Sequence, residues 1–67
     1  MIEVIVNGTR TSIPNGLTVK ETIKALEYKG KGFSLALNGT FVAIATYETT
    51  MVKDNDSLEI LAPVQGG

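Results

Sequence analysis

The stretch that decides the fold stands at the start of the chain, where residues 2–8 read Ile-Glu-Val-Ile-Val-Asn-Gly. Val4 and Val6 share one face with the isoleucine that opens the stretch, and this period of two predicts a half-buried strand. Asn7-Gly8 then predicts a tight hairpin, because both residues tolerate a positive φ. The β-branched residues of Thr9–Ile13 can return as a second, antiparallel strand.

A helix is predicted after this hairpin, beyond the break at Pro14. Thr18 and Glu21 have the spacing of a capping box, in which the two side chains accept hydrogen bonds from N–H groups at the start of the helix. We expect the helix to end near residues 29–32, Lys-Gly-Lys-Gly, where a glycine can adopt the left-handed conformation. Apolar residues recur at helical spacing between these ends and form one stripe: Val19, Ile23 and Leu26.

The second half of the chain predicts further short strands separated by turns. Asn38-Gly39 repeats the hairpin signal of the first half. We expect the aromatic and aliphatic residues here to serve core and edge packing, with Tyr47 covering the end of the core. The apolar residues meant are Phe33, Leu35, Leu37 and Phe41. The predicted segments are strands at 33–37, 41–45 and 58–62, a turn or loop at 47–52 and a polar turn at 53–56.

The order strand, strand, helix, strand, short strand, strand indicates an α+β fold. One helix must cover one face of a mixed sheet of four to five strands. The first and last strands can lie side by side in parallel at the centre of the sheet, joined through a right-handed crossover. This arrangement is the β-grasp, or ubiquitin-like, fold. We expect residues 1–67 to form a single domain with a flexible C-terminal tail at 63–67.

The composition excludes most enzymatic functions. The chain has 67 residues with no Cys and no His, so it offers no thiolate, no imidazole base and no ordinary zinc site. A chain this short has no room for a deep substrate cavity. We therefore expect a protein that is not an enzyme and that binds no cofactor or metal. Seven acidic against six basic residues leave no basic excess for a nucleic acid.

The same sequence indicates a cytoplasmic protein. Met1 leads straight into the alternating pattern of the first strand, with no signal peptide before it. The apolar stretches are far shorter than the roughly 18 residues of a membrane-spanning helix. The absence of Cys leaves no disulfide framework of the kind found in secreted domains. We expect no contact with a membrane.

The chemical feature that stands out is the end of the sequence, Gly66-Gly67. A tail without side chains can thread a narrow tunnel in a partner and deliver the Gly67 carboxylate to its active site. A free carboxylate is a poor electrophile, but a partner that uses ATP can join it to AMP as a mixed anhydride. A persulfide can then displace AMP and leave a thiocarboxylate. The alternative is that the glycines are simply a loose chain end.

Several stretches of the sequence, taken together, resemble the ThiS family, the sulfur carriers of thiamin biosynthesis. The resemblance implies that a ThiF-type adenylyltransferase activates Gly67 with ATP and that a persulfide protein supplies the sulfur. A thiazole synthase of the ThiG type would then accept that sulfur. Only Gly66 and Gly67 match functional positions of the family. The stretches are Leu-Asn-Gly-Thr-Phe-Val at 37–42, Tyr-Glu-Thr-Thr at 47–50, Val-Lys-Asp-Asn-Asp-Ser-Leu-Glu-Ile-Leu at 52–61 and Gln-Gly-Gly at 65–67.

The chain departs from the family at Val42-Ala43-Ile44, where members often have Val-Pro-Arg. The departure removes a rigid turn and a charge, and it bears on partner contacts there. Ala62-Pro63-Val64 is similar to the small subunit of molybdopterin synthase, so a sulfur carrier for that product is an alternative. Two further alternatives are a ubiquitin-like modifier that joins Gly67 to lysines and an interaction domain whose tail is incidental.

A docking surface for the partners is predicted on the open face of the sheet. Ile5 and Leu61 are out of phase with the inward residues of their strands, so they emerge on the side away from the helix. With Val64 and Gln65 they can form a patch beside the tail. The lysines at 20, 24, 29 and 31 are expected to form a solvated helix face that can also steer the chain toward an acidic partner.

Overall fold

The helix and strands follow the predicted order along the chain. The structure is a computed structural model that describes residues 1–28 and 34–61. In this part of the chain the first half contains two strands and a helix, and the second half contains three strands and a short 3₁₀ helix. The elements are β1 (Ile2–Val6), β2 (Thr9–Ile13), α1 (Val19–Ala25), β3 (Ser34–Leu37), β4 (Thr40–Val42), the 3₁₀ helix Ile44–Thr46 and β5 (Ser57–Leu61).

The five strands form one mixed sheet in the order β2-β1-β5-β3-β4. The pairing of β1 with β5 is parallel, and Val6 lies opposite Leu58 in its register. The other neighbours are antiparallel, including β3 with β5, where Leu35 lies opposite Ile60. The first and last strands therefore run side by side near the centre of the sheet. The predicted α+β, β-grasp fold is confirmed.

Both predicted hairpins turn at an Asn-Gly pair in which both residues have a positive φ. The values are 50° and 85° for Asn7 and Gly8, and 52° and 82° for Asn38 and Gly39. Two left-handed residues in succession are typical of the type I′ turn, whose twist matches that of the flanking strands. The turns join β1 to β2 and β3 to β4, as the sequence predicts.

The N-terminus of α1 has the predicted capping box. The backbone N–H of Glu21 donates to the Thr18 hydroxyl at 3.2 Å, and the backbone N–H of Thr18 donates to the Glu21 carboxylate at 2.9 Å. The N–H of Val19 donates to the Thr50 carbonyl at 2.8 Å. The loop before β5 thus satisfies a donor that the helix itself leaves unpaired.

The C-terminus of α1 differs from the prediction. The helix ends at Ala25, and Glu27 takes the left-handed conformation with a φ of 64°. The N–H of Tyr28 reaches back to the Ile23 carbonyl at 3.2 Å, which is the long bond of a Schellman motif. The expectation that the helix ends on a glycine of 29–32 is therefore wrong, because Glu27 occupies the left-handed position earlier. Residues 29–32 themselves lie outside the described residues.

The core lies between α1 and one face of the sheet. Its residues come from all five strands, from the start of the helix and from the loop before β5. Thr22 is also fully buried, and its hydroxyl donates to the Thr18 carbonyl at 2.8 Å. The buried apolar residues are Val4, Val6, Ile13, Val19, Leu35, Val42, Tyr47, Val52, Leu58 and Ile60. Tyr47 is buried as expected, whereas Ile23, Leu26 and Leu37 are partly buried against this core.

Phe41 does not pack in the core. Its side chain is 69% exposed, because Val42 takes the inward position of the three-residue strand β4. The predicted strand at 41–45 is also too long, since the backbone turns into the 3₁₀ helix after Val42. The N–H and the hydroxyl of Thr46 both donate to the Ala43 carbonyl, at 2.9 and 2.8 Å, and these local bonds replace strand pairing. Phe33 lies outside the described residues.

We expect Glu27→Gly to stabilise the fold. A residue with a Cβ in the left-handed conformation costs about 1 kcal/mol relative to glycine, so the free energy of unfolding should rise by about that amount. Urea denaturation measures it as a higher midpoint at an unchanged slope. Glu27→Ala is the matched control, because it removes the same carboxylate but keeps a Cβ. An equal gain in both variants would show that the charge, and not the backbone conformation, is responsible.

Candidate functional site

The candidate site lies where β5 ends and the tail begins. Leu61 is the last residue of β5 and the last described residue of the chain. Gly66 and Gly67, predicted as the reactive end, lie outside the described residues, as do Val64 and Gln65. The described residues show how the domain holds β5, the strand that precedes these four residues in the sequence.

The side chain of Asn7 extends the pairing between β1 and β5. Strand β1 ends at Val6, and the N–H of Asn7 donates to the Leu58 carbonyl at 2.8 Å. The amide group of Asn7 then binds both main-chain groups of Ile60: the Ile60 N–H donates to Oδ1 at 2.8 Å, and Nδ2 donates to the Ile60 carbonyl at 3.1 Å. In a regular parallel ladder the N–H and the carbonyl of Ile60 would pair with two different residues of the neighbouring strand, whereas here one side-chain amide binds both.

Tyr28 brings the end of the helix to the same place. Its hydroxyl accepts a long hydrogen bond of 3.4 Å from Nδ2 of Asn7, and its ring packs against the core. Sequence reasoning assigned Asn7 to the turn alone and gave Tyr28 no role. The hairpin needs only a residue that tolerates a positive φ, so nothing in the local pattern points to a bond with a residue 53 positions away.

Two carboxylates hold the backbone at the opposite end of β5. Asp54 accepts from the Glu3 N–H at 2.8 Å, and Asp56 accepts from the Lys53 N–H at 2.7 Å. Asp56 also accepts from Nδ2 of Asn38 at 2.9 Å. The acidic turn at 53–56 is therefore part of the structure that starts β5. Within residues 1–28 and 34–61, no group of acidic side chains is arranged to hold a metal ion.

The open face of the sheet carries a shallow apolar groove beside the end of β5. Phe41 and Leu61 flank it, and each is 69% exposed. The register places Ser34 next to Leu61, and Ala36 between Phe41 and Glu59. The small side chains of β3 thus form the floor between two large apolar residues. We call Phe41, Leu61, Ser34, Ala36 and Glu59 the open-face groove.

The structure does not bring Ile5 into this groove. Ile5 is on the same open face but pairs with Ser57, four positions before Leu61 on β5. At a rise of roughly 3.3 Å per residue, this separates Ile5 from Leu61 by about 13 Å along the sheet. Ile5 is also partly covered. Phe41, which the sequence analysis assigned to packing, lines the groove with Leu61 instead.

Lys20, on the exposed side of the helix, forms an ion pair with Glu48 on the surface. Nζ of Lys20 lies 2.7 Å from Oε1 of Glu48. This hydrogen bond and the opposite charge raise the pKa of Lys20 and lower the pKa of Glu48. Of the four lysines expected to steer the chain toward a partner, Lys20 thus has its charge paired with Glu48. Lys29 and Lys31 lie outside the described residues. Burial raises the pKa of Tyr47.

Comparison with known proteins gives concordant results. A sequence model of the ThiS family matches residues 4–67. A crystal structure of a thiamine biosynthesis protein (ThiS) from Geobacter metallireducens is similar, with a TM-score of 0.83, 29% identity, and coverage of 98% of this chain and 100% of that chain. An NMR structure of a thiamine biosynthesis protein from the same organism has a TM-score of 0.82, 29% identity, and coverage of 98% and 88%. No curated protein matches the chain significantly.

Among residues 1–28 and 34–61, neither α1 nor the 3₁₀ helix approaches the length and apolar character of a membrane-spanning helix.

We expect Asp56→Ala to destabilise the fold by about 1–3 kcal/mol, because it leaves the Lys53 N–H and the Asn38 amide without their acceptor. Thermal or urea unfolding measures the loss. Glu59→Ala is the control, because the exposed Glu59 lies on β5, the strand that begins directly after Asp56. We expect it to change the free energy of unfolding by no more than about 0.5 kcal/mol. Equal effects of the two substitutions would contradict a structural role for the acidic turn.

Proposed function

This chain belongs to the ThiS family, and we propose on that premise that it carries sulfur as a thiocarboxylate on Gly67. Membership of the family supports a role as a sulfur carrier. The observation that carries the proposal further is that the match to the family runs to residue 67 and so includes the Gly-Gly end. The similar Geobacter protein is a thiamine biosynthesis protein, which favours the thiazole ring as the destination of the sulfur.

The proposed chemistry begins with activation of the carboxylate. A carboxylate oxygen of Gly67 attacks the α-phosphorus of ATP, pyrophosphate leaves, and the chain becomes an acyl adenylate. A ThiF-type adenylyltransferase in the cytoplasm binds the ATP and catalyses this step. The chain supplies only the carboxylate, consistent with a sequence that contains no Cys and no His.

Sulfur transfer follows in two displacements. The terminal sulfur of a protein persulfide attacks the carbonyl carbon of Gly67, the carbon–sulfur bond forms, and AMP leaves. A second thiol of the donor system then attacks the sulfur–sulfur bond of the acyl disulfide. This thiol forms a disulfide with the sulfur that remains on the donor protein, and the thiocarboxylate on Gly67 is released. A thiazole synthase of the ThiG type accepts this sulfur, so the chain is a protein substrate and not a catalyst.

We further propose that the activating enzyme docks on the open-face groove. Its two large side chains, Phe41 and Leu61, are exposed, and Leu61 is the last residue of β5. Exposed aromatic and aliphatic residues of this kind act as anchors when a partner removes them from water. Val64 and Gln65 stand between Leu61 and Gly67 in the sequence, and we propose that the same partner contacts them.

Intact mass spectrometry tests the proposed reaction directly. After incubation with a ThiF-type enzyme, ATP and a persulfide donor, we expect a mass increase equal to the difference between one sulfur and one oxygen atom. A variant with one Leu added after Gly67 should show no increase, because its terminus carries a side chain in the wrong place. Thiolation of the lengthened chain, or no thiolation of the unchanged chain, would contradict the proposal. If the thiolated chain transfers its sulfur to a molybdopterin synthase and not to a thiazole synthase, the proposed acceptor is wrong and the carrier role stands.

Substitution on the open face tests the docking surface. We expect Phe41→Thr to raise the KM of the carrier for the activating enzyme about tenfold, because it removes an exposed anchor. Threonine keeps the strand preference of the position. Ile5→Thr is the matched control on the same face, about 13 Å from Leu61, and should change KM much less. An equal rise in both variants would place the docking surface elsewhere.

A further inference from the structure

Two Asn-Gly turns hold the two ends of the last strand. The Ser57 N–H, at the start of β5, donates to Oδ1 of Asn38 at 2.9 Å. The Ile60 N–H, near the end of β5, donates to Oδ1 of Asn7 at 2.8 Å. The two asparagines have nearly the same φ, 52° and 50°. The same residue type in the same turn therefore acts on the same strand, at opposite ends.

The two amides differ in where their NH₂ groups donate. Nδ2 of Asn38 donates to the carboxylate of Asp56, which lies before the strand. Nδ2 of Asn7 donates to the main-chain carbonyl of Ile60. Asn7 thus binds both polar main-chain groups of one residue, and that residue is next to the last of β5. These bonds therefore act one residue before Leu61, at the end of β5.

Without this amide, the end of β5 has a neighbour on one side only. Beyond Asn7 the backbone turns at Gly8 into β2 and no longer runs beside β5. On the other side, β3 still pairs with β5, with Leu35 opposite Ile60. The Asn7 amide therefore decides whether the strand is held on both sides or on one side at the point from which the tail follows.

We propose that Asn7 is a positioning residue for the reaction at Gly67, which rests on the proposed function. By fixing Ile60 on the β1 side, it fixes the position and the direction of the backbone at Leu61, the residue from which the sequence continues to Gly67. A partner that docks on the open-face groove then receives the following residues from a constant starting point. Reactions that depend on approach of two groups lose rate steeply when one group is poorly placed.

The isosteric variant Asn7→Asp isolates this role. Aspartate tolerates the positive φ of the turn and keeps an acceptor for the Ile60 N–H. It loses the donor, and it places a carboxylate oxygen against the Ile60 carbonyl. Asn38→Asp is the matched control, because it makes the same change in the same kind of turn and faces the Asp56 carboxylate. Both variants are expected to lose stability, and only Asn7→Asp acts beside the tail.

Adenylation kinetics with the carrier as the varied substrate provide the test. The pyrophosphate exchange rate is measured with the ThiF-type enzyme at a temperature where both variants are folded. We expect Asn7→Asp to lower kcat about tenfold at a nearly unchanged KM, because docking is retained and placement is lost. We expect Asn38→Asp to stay within about twofold of the unchanged chain. Because the new carboxylate repels the Ile60 carbonyl, the end of β5 should open more often, and amide hydrogen exchange at Ile60 should be faster in Asn7→Asp alone.

The possible results distinguish failure of the positioning role from failure of the proposed function. A purely structural role of Asn7 lowers the folded fraction of the carrier and so raises the apparent KM without lowering kcat. That result, or equal kinetics for Asn7→Asp and Asn38→Asp, would overturn the positioning role while leaving the proposed function intact. If the unchanged chain is not adenylated at all, the proposed function fails, and the positioning role fails with it.

Discussion

The parallel pairing of β1 with β5 is the interaction on which the rest of the structure depends. It places the last strand inside the sheet, with β1 on one side and β3 on the other. Leu58 is fully buried there and Ile60 almost so. Because the strand that precedes the tail is held from both sides, the chain end is attached to one of the best-packed parts of a small domain. A tail on an edge strand would start from a far less constrained backbone.

The features that the sequence predicts well are those encoded locally. Period-two alternation marks β1, the Asn-Gly pairs mark both hairpins, and the Thr18–Glu21 spacing marks the start of the helix. The features it misses depend on tertiary contacts. Strand β4 has only three residues, too few for alternation to tell whether Phe41 or Val42 faces inward. The early end of α1 at Ala25 goes with the packing of Tyr28 on the core, which no helix signal contains.

The candidate site shows the same division. The reactive role of the terminal glycines stays a prediction that sequence alone can make, because it rests on local chemistry, whereas the bonds of Asn7 to Ile60 cannot be predicted in that way. Its turn already accounts for an asparagine at that position, so the pattern leaves nothing unexplained that would point to Ile60. The acidic residues of the turn at 53–56 are similar, since a polar turn explains them until the structure shows their bonds to Glu3, Lys53 and Asn38.

The surface of the folded domain must distinguish one partner from another, because a Gly-Gly end has no side chains that a partner could recognise. Recognition that distinguishes one activating enzyme or sulfur acceptor from another therefore needs side chains elsewhere on the domain. The docking surface that we propose, the open-face groove, offers such side chains in the exposed Phe41 and Leu61. Ile44, two residues after the end of β4, is 61% exposed, and it belongs to the segment 42–44 whose sequence differs from the Val-Pro-Arg noted in the sequence analysis. Exposed apolar residues here contribute nothing to the core, so this surface is free to change with the partner while the fold and the tail stay the same.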